Sequence, residues 1–142
     1  MSFQWLAMRM TEETERRQRE AQTLERLPRA LEEVHEGLVA CVKSYTESFG
    51  TEAAEIQMLE QRIRVTAREQ KNGKWEPRTT VDVHIIPALP GFRIERDGEP
   101  LEILVGMLPG NKLFYRDAEK YLTMEELTRR ILDKALFPKL GE

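Results

Sequence analysis

The residues best suited to catalysis in this chain are two histidines, His35 and His84, and one cysteine, Cys41. His35 and Cys41 are six residues apart, which is about 1.7 turns of a helix and places them on different sides of it. A Cys-His nucleophile pair from that helix is therefore not expected. One enzymatic hypothesis remains, in which His84 acts with Asp82 or with glutamates of the same sheet.

Metal binding has little support in the sequence. Glu32 and His35 have the i, i+3 spacing of a di-iron ligand pair, but such sites need a second copy of the motif and further glutamates, and the motif occurs once. Neither HExxH nor CxxC spacing is present. We therefore predict no metal site and no cofactor, and we expect the chain not to be an enzyme.

The segment GMLPGNK, residues 106 to 112, contains two glycines and a lysine, as phosphate-binding loops do. Only three residues separate its glycines, where such a loop has four, and Leu113 follows Lys112 in place of Ser or Thr. It also precedes a predicted strand, so no helix dipole would face a phosphate. We do not predict nucleotide binding.

Positive charge is concentrated in one short stretch. Residues 61 to 78 carry six bases and two acids, whereas residues 1 to 60 carry 12 acids and seven bases. The stretch forms a predicted hairpin, which makes it a possible site for an anion or an acidic partner. Glu76 and Asp82 can neutralise part of it and the whole chain is acidic, so nucleic-acid binding is not expected. The candidate residues are Arg62, Arg64, Arg68, Lys71, Lys74 and Arg78.

The elements that position these residues begin with a long helix. Residues 24 to 45 contain an apolar stripe at alternating spacings of three and four. Such a stripe fits the core face of one helix packed on a sheet, and a heptad seam between chains is the alternative. Because the stripe keeps its phase across Pro28, we predict one kinked helix rather than two, ending at Phe49-Gly50. The stripe consists of Leu24, Leu27, Leu31, Val34, Leu38, Cys41 and Tyr45.

About five strands follow, mostly in hairpins. Both apolar sets around Asn72-Gly73 fall on odd-numbered residues, so this hairpin needs a three-residue loop or a bulge near Pro77. The next hairpin turns at Asp97-Gly98 and pairs Arg93 with Glu102. Thr123 and Glu126 form a capping box that opens a C-terminal helix. The sequence predicts a two-layer α+β domain, with an antiparallel meander and the C-terminal helix packed on one face of the sheet.

Before the stripe lies a polar decapeptide, TEETERRQRE, residues 11 to 20. Its charges form four opposite-sign pairs at i, i+4, which support a helix that has no core contact. The predicted pairs are Glu12–Arg16, Glu13–Arg17, Glu15–Arg19 and Arg16–Glu20. Thr11 is predicted to cap a helix start. We predict that residues 1–22 form a projecting helical arm and that residues 23–142 form a single α+β domain.

The end of this arm is apolar. Trp and Met are enriched in the centres of protein interfaces, and small domains do not normally expose such a cluster. We expect these side chains to bind a partner, most simply a second copy in a two-fold dimer, with another protein as the alternative. A tip that is disordered or folded onto its own sheet is the other possibility. The predicted partner-binding residues are Phe3, Trp5, Leu6 and Met8.

A second class of function is a small-molecule site, in a cavity between the sheet and the long helix. Its predicted lining is Tyr45, Val83, Phe92, Ile94 and Ile103. The chain shows neither a signal-peptide pattern nor a membrane span, and its single cysteine cannot form an internal disulfide. We therefore expect a cytoplasmic protein without membrane contact. The leading hypothesis is a non-enzymatic interaction module that self-associates through its N-terminal helix.

Overall fold

The structure is a computed structural model that describes residues 3–96, 98–110 and 112–138. It confirms the predicted two-layer α+β arrangement. A long helix, α1 (Gln4–Phe49), precedes seven strands, and a second helix, α2 (Met124–Leu136), follows them. The strands are β1 (Ala54–Leu59), β2 (Arg62–Lys71), β3 (Lys74–Ile86), β4 (Gly91–Glu95), β5 (Leu101–Leu108), β6 (Lys112–Arg116) and β7 (Tyr121–Leu122).

The sheet is a meander in which each strand pairs antiparallel with the next, in the order β1 to β7. Two of these strands, β1 and β7, were absent from the sequence prediction of about five. In β1, Ala54 and Ile56 pair with Ala67 and Val65, so the strand continues the core face of β2. The β1–β2 turn contains Gln61 at a φ of 56°, a position that lacks the glycine by which turns are usually recognised.

The hairpin between β2 and β3 resolves the parity conflict with a bulge. Asn72 and Gly73 have φ of 55° and 79°, and Lys71 pairs with Lys74 across this two-residue turn. The register shifts between Ala67 and Arg68, which leaves Arg78 as the extra residue of β3. Of the two alternatives, the bulge near Pro77 is correct and the three-residue loop is not.

The following hairpin has the predicted register, with Phe92 paired to Ile103 and Arg93 to Glu102. The arginine and glutamate lie 3.4 Å apart as an ion pair. Asp97, one of its two predicted turn residues, lies outside the described residues, and Gly98 has a φ of 76°. The predicted capping box is also present, because the Thr123 hydroxyl accepts from the Glu126 amide and the Glu126 carboxylate accepts from the Thr123 amide.

Helix α1 is continuous through Pro28, so one helix rather than two is confirmed. Its predicted start at Thr11 is wrong, because the helix begins at Gln4 and the Thr11 hydroxyl donates to the Ala7 carbonyl one turn back. Gly50 follows the helix end at a φ of 118°.

The core lies between one face of the sheet and the two helices. The stripe on α1 is an intramolecular core face, since Leu27, Leu31, Val34 and Leu38 are buried within the chain. At its ends the buried positions are Thr23 and Val42, in place of the predicted Leu24 and Cys41. A straight helix has 3.6 residues per turn, so its buried face drifts away from a heptad pattern.

Candidate functional site

The first part of α1 contributes nothing to the core. None of residues 3–22 is buried, and Thr23 is the first buried residue of the helix. The four residues predicted to bind a partner, Phe3, Trp5, Leu6 and Met8, are all exposed, and Trp5 is 65% exposed. Sequence reasoning missed Met10, which is 62% exposed. Its position four residues after Leu6 was an available signal.

The end of α1 has mostly apolar side chains, with Gln4 and Arg9 as its polar residues. We use the name "tip" for residues 3–10. Successive residues of a helix are about 100° apart, so Trp5 and Met8 point to one side while Leu6 and Met10 point to the other. A helix segment with large apolar side chains on two sides cannot cover both of them on one flat surface. The tip therefore has the character of a segment that fits into a concave surface.

The polar decapeptide is held in helical form by its own ion pairs. Glu13 accepts from Arg16 at 2.7 Å and from Arg17 at 3.0 Å, and Arg16 also donates to Glu20 at 2.7 Å. Hydrogen bonds from Arg16 and then Arg17 lower the pKa of Glu13 to about 2. Two predicted pairs, Glu13–Arg17 and Arg16–Glu20, are thus present, whereas Glu12 pairs with Arg9 rather than with Arg16.

A groove of about 820 Å³ lies where α1 meets the end of the sheet. We call it the base groove. One wall is the α1 segment from Arg16 to Thr23, and the other consists of the β3–β4 loop and the β5–β6 hairpin. Leu108 on that second wall is 44% exposed. The apolar residues of this wall are Leu89, Pro90, Met107, Leu108, Pro109 and Phe114.

A second groove, of about 640 Å³, lies between the C-terminal half of α1 and α2. We call it the interhelical groove. Tyr45 and Phe137 meet edge to face at 5.6 Å between ring centroids, and Phe49 lies 4.9 Å from Tyr45. The Tyr45 hydroxyl donates to the Leu136 carbonyl at 3.4 Å. Cys41 also lines this groove.

The five residues predicted to line a cavity are not brought together around one. Val83, Phe92, Ile94 and Ile103 pack in the core, each no more than 1% exposed. Of the five, Tyr45 alone lines a groove among the described residues with appreciable volume, and that groove is the interhelical one. The other four residues belong to the buried core between the sheet and the helices.

Most of the predicted basic patch is neutralised locally. Asp82 lies 2.9 Å from Arg64 and 3.9 Å from Arg62, and Glu55 of β1 forms an ion pair with Arg68. Lys71 pairs with Glu69 at 3.3 Å. Lys74 is exposed beside Trp75 at the hairpin end.

Arg78 does not belong to the basic patch, because it is the extra residue of the bulge in β3. It donates to the carbonyls of Ala135 at 2.6 Å and Leu136 at 3.3 Å, at the end of α2. The last carbonyls of a helix have no intrahelical partners and carry the negative end of its dipole, so a guanidinium there is stabilising. Arg78 therefore joins β3 to α2.

The two histidines and the cysteine have no shared site. His35 and Cys41 are half-buried at separate positions on α1, and His84 lies on the sheet with its Nε2 atom 3.5 Å from a Glu95 carboxylate oxygen. Within the described part of the chain, no three His, Cys, Asp or Glu side chains form a group that could hold a metal ion. The GMLPGNK segment connects β5 to β6, and its Asn111 lies outside the described residues.

Two buried polar contacts join the elements of the domain. The Tyr115 hydroxyl donates to the Glu33 carboxylate at 2.7 Å, and burial followed by this carboxylate raises the pKa of Tyr115. Asp117 accepts from the amides of Lys120 and Glu119, each at 2.7 Å, and these two bonds lower the pKa of Asp117. Asp117 also pairs with Arg130 of α2. These contacts are interior and structural.

Comparisons of the chain with models of protein families, with curated proteins and with solved structures give no match. Among the described residues, no helix combines the length and the apolar character that crossing a membrane requires. Function must therefore be argued from the surface features of the chain itself.

Proposed function

We propose that this chain is a non-enzymatic protein–protein interaction module that self-associates through its N-terminal arm. The observation that carries the proposal is the exposed apolar tip, at the end of a helix whose residues 3–22 are all outside the core. Large exposed apolar clusters mark interaction surfaces, and Trp and Met are enriched at their centres.

The ion pairs of the polar decapeptide support this proposal by giving the arm a defined shape. From Phe3 to Thr23 a helix extends about 30 Å. Four ion pairs hold residues 3–22, in which no side chain is buried, and this helical section carries the tip away from the sheet. A helical arm of this kind presents its tip to another molecule in a fixed orientation.

A second copy of the chain is the simplest partner, because a two-fold axis lets one arm both give and receive the same contact. Closure of this kind covers both tips at once and leaves none exposed. We expect a concentration-dependent dimer in sedimentation equilibrium. A chain that remains monomeric at every accessible concentration would exclude this function.

The test of the tip is a matched pair of substitutions. Met8→Glu places a charge in the tip, and Met58→Glu places the same charge at another exposed methionine, on β1 far along the chain from the tip. We expect Met8→Glu to raise the dimer dissociation constant at least tenfold, because it removes an apolar anchor and buries a charge. Met58→Glu should leave it unchanged. Removal of residues 1–20 should give a folded monomer.

The interhelical groove favours a second candidate function, the binding of an apolar small molecule. Three aromatic rings and about 640 Å³ of space are consistent with such a ligand. Ala40→Trp would fill the groove from its exposed wall. We expect it to abolish binding of a hydrophobic fluorescent probe, whereas Ala21→Trp on the arm would not. Equal binding by both variants would exclude this site.

A further inference from the structure

We propose that the base groove of one copy receives the tip of the other, with the two arms crossing antiparallel within the polar decapeptide. This inference rests on the proposed self-association and identifies the surface that the arm binds. It assigns a use to the three features of the arm: an apolar tip, a charged middle section and a groove at its base.

The loop wall of the groove matches the tip in chemistry, whereas the α1 wall is polar and consists of Arg16, Arg19, Glu20, Gln22 and Thr23. A tip with apolar side chains on two sides needs more than one wall, because a single flat surface covers only one of its faces. The base groove provides two walls, one from α1 and one from the loops at the end of the sheet. Its loop wall exposes the apolar side chains of Leu108 and Pro109, beside the half-buried Met107.

The tip cannot occupy the groove of its own subunit. Helix α1 is continuous from Gln4 to Phe49, and the middle of the tip precedes the middle of the groove wall by about 13 residues, or about 20 Å along the helix. The ion pairs between Glu13, Arg16, Arg17 and Glu20 oppose a break in this section. A second copy is therefore the occupant that the geometry selects.

Charge determines the direction of the crossing. Residues 11–15 contain three acids and no base, whereas residues 16–20 contain three bases and one acid. Parallel arms would place the acidic halves side by side, and antiparallel arms place each acidic half beside the basic half of the partner. With the two-fold axis between Thr14 and Arg16, the tip of each copy lies beside residues 20 to 27 of the other. That segment includes the end of the groove wall and the exposed Leu24.

The groove is tested with a second matched pair of substitutions. Leu108 and Met58 are 44% and 43% exposed, both on strands, and only Leu108 lines the base groove. We expect Leu108→Glu to raise the dimer dissociation constant at least tenfold in sedimentation equilibrium, and Met58→Glu to leave it unchanged. Circular dichroism checks that both variants are folded.

Chemical cross-linking tests the direction independently of that variant. Ala7 and Ala21 are exposed, and 14 residues separate them, so a short bis-maleimide cannot join them within one straight helix. In a Cys41→Ser background, the antiparallel crossing predicts a covalent dimer when Ala7→Cys and Ala21→Cys are combined, and none from either alone. A dimer linked through Ala7→Cys alone would show that the tips meet each other, which overturns the proposal.

The outcomes separate the two proposals. A full-length chain without any dimer excludes both self-association and the groove contact. A different result would be a dimer that Met8→Glu weakens but Leu108→Glu does not, with no covalent dimer from the combined cysteines. That result would retain self-association and exclude the base groove as the surface that the tip binds.

Discussion

The two halves of α1 belong to one helix and have opposite surroundings. Residues 4–22 form a polar section with an apolar tip and bury no side chain, whereas the section from Thr23 to Val42 has seven buried residues. Helical form therefore does not depend on core contact along the whole of α1. Tertiary packing maintains the second half, and side-chain ion pairs together with the continuity of the helix maintain the first.

The largest effect is expected when the same substitution is made in each half and the free energy of unfolding is measured. Leu31 is 2% exposed and Leu6 is 43% exposed. Leu31→Ala should lower the free energy of unfolding by about 2–5 kcal/mol, because it leaves a cavity in the core. Leu6→Ala should have no effect at concentrations where the chain is monomeric. Denaturant titration at several protein concentrations measures both.

Concentration distinguishes the two leucines further. If the tip binds a second copy, the stability lost in Leu6→Ala grows as protein concentration rises, while the loss in Leu31→Ala does not. A loss of stability in Leu6→Ala that does not depend on concentration would contradict this contrast between the two halves, because it would show that Leu6 packs against its own subunit.

A smaller effect is expected near the start of the buried half. Pro28 is exposed inside α1 and has no amide to bond the carbonyl of Leu24. Pro28→Ala should raise the free energy of unfolding by about 1–2 kcal/mol, since the helix penalty of about 3 kcal/mol is partly offset by the greater freedom of the unfolded chain. Thermal unfolding checks this. A loss of stability would show that packing of the buried half requires the proline.

The smallest effect concerns protonation in the exposed half. Arg16 and Arg17 lower the pKa of Glu13 from 4.5 to about 2. Because the folded-state pKa is lowered, the contribution of this carboxylate is fully present above pH 4.5 and is lost as the pH falls through about 2. In an NMR titration we expect its midpoint near 2, and in Arg16→Gln a midpoint closer to 4.5. An unchanged midpoint would show that Arg16 does not lower the pKa of Glu13.

The sequence predicts the fold well where a pattern is local. The stripe of α1, the capping box of α2 and the pairing of Arg93 with Glu102 follow from spacing alone, because each depends on neighbours within one element or hairpin. Parity likewise required either a three-residue loop or a bulge near Pro77, and the bulge is the alternative that is present. The sequence did not reveal that Arg78 binds the end of α2, because that contact joins residues that are 57 positions apart.

Features without a local signal were missed. Strand β1 alternates Ala54, Ile56 and Met58 with polar residues, but its turn contains Gln61 in place of a glycine. Strand β7 has two residues, which is too short for a periodic pattern. The tip was recognised from composition, whereas the base groove combines α1 with two distant loops and becomes visible only once the chain is folded.

The sequential order of the sheet has a consequence for synthesis. Each strand pairs with the strand translated just before it, so the sheet is able to form hairpin by hairpin as the chain emerges. Helix α1 is made before the strands that cover its stripe, and Tyr115, which bonds to Glu33 of this helix, follows 82 residues later. The leucines of the stripe therefore stay open to solvent or to a chaperone while the strands are produced.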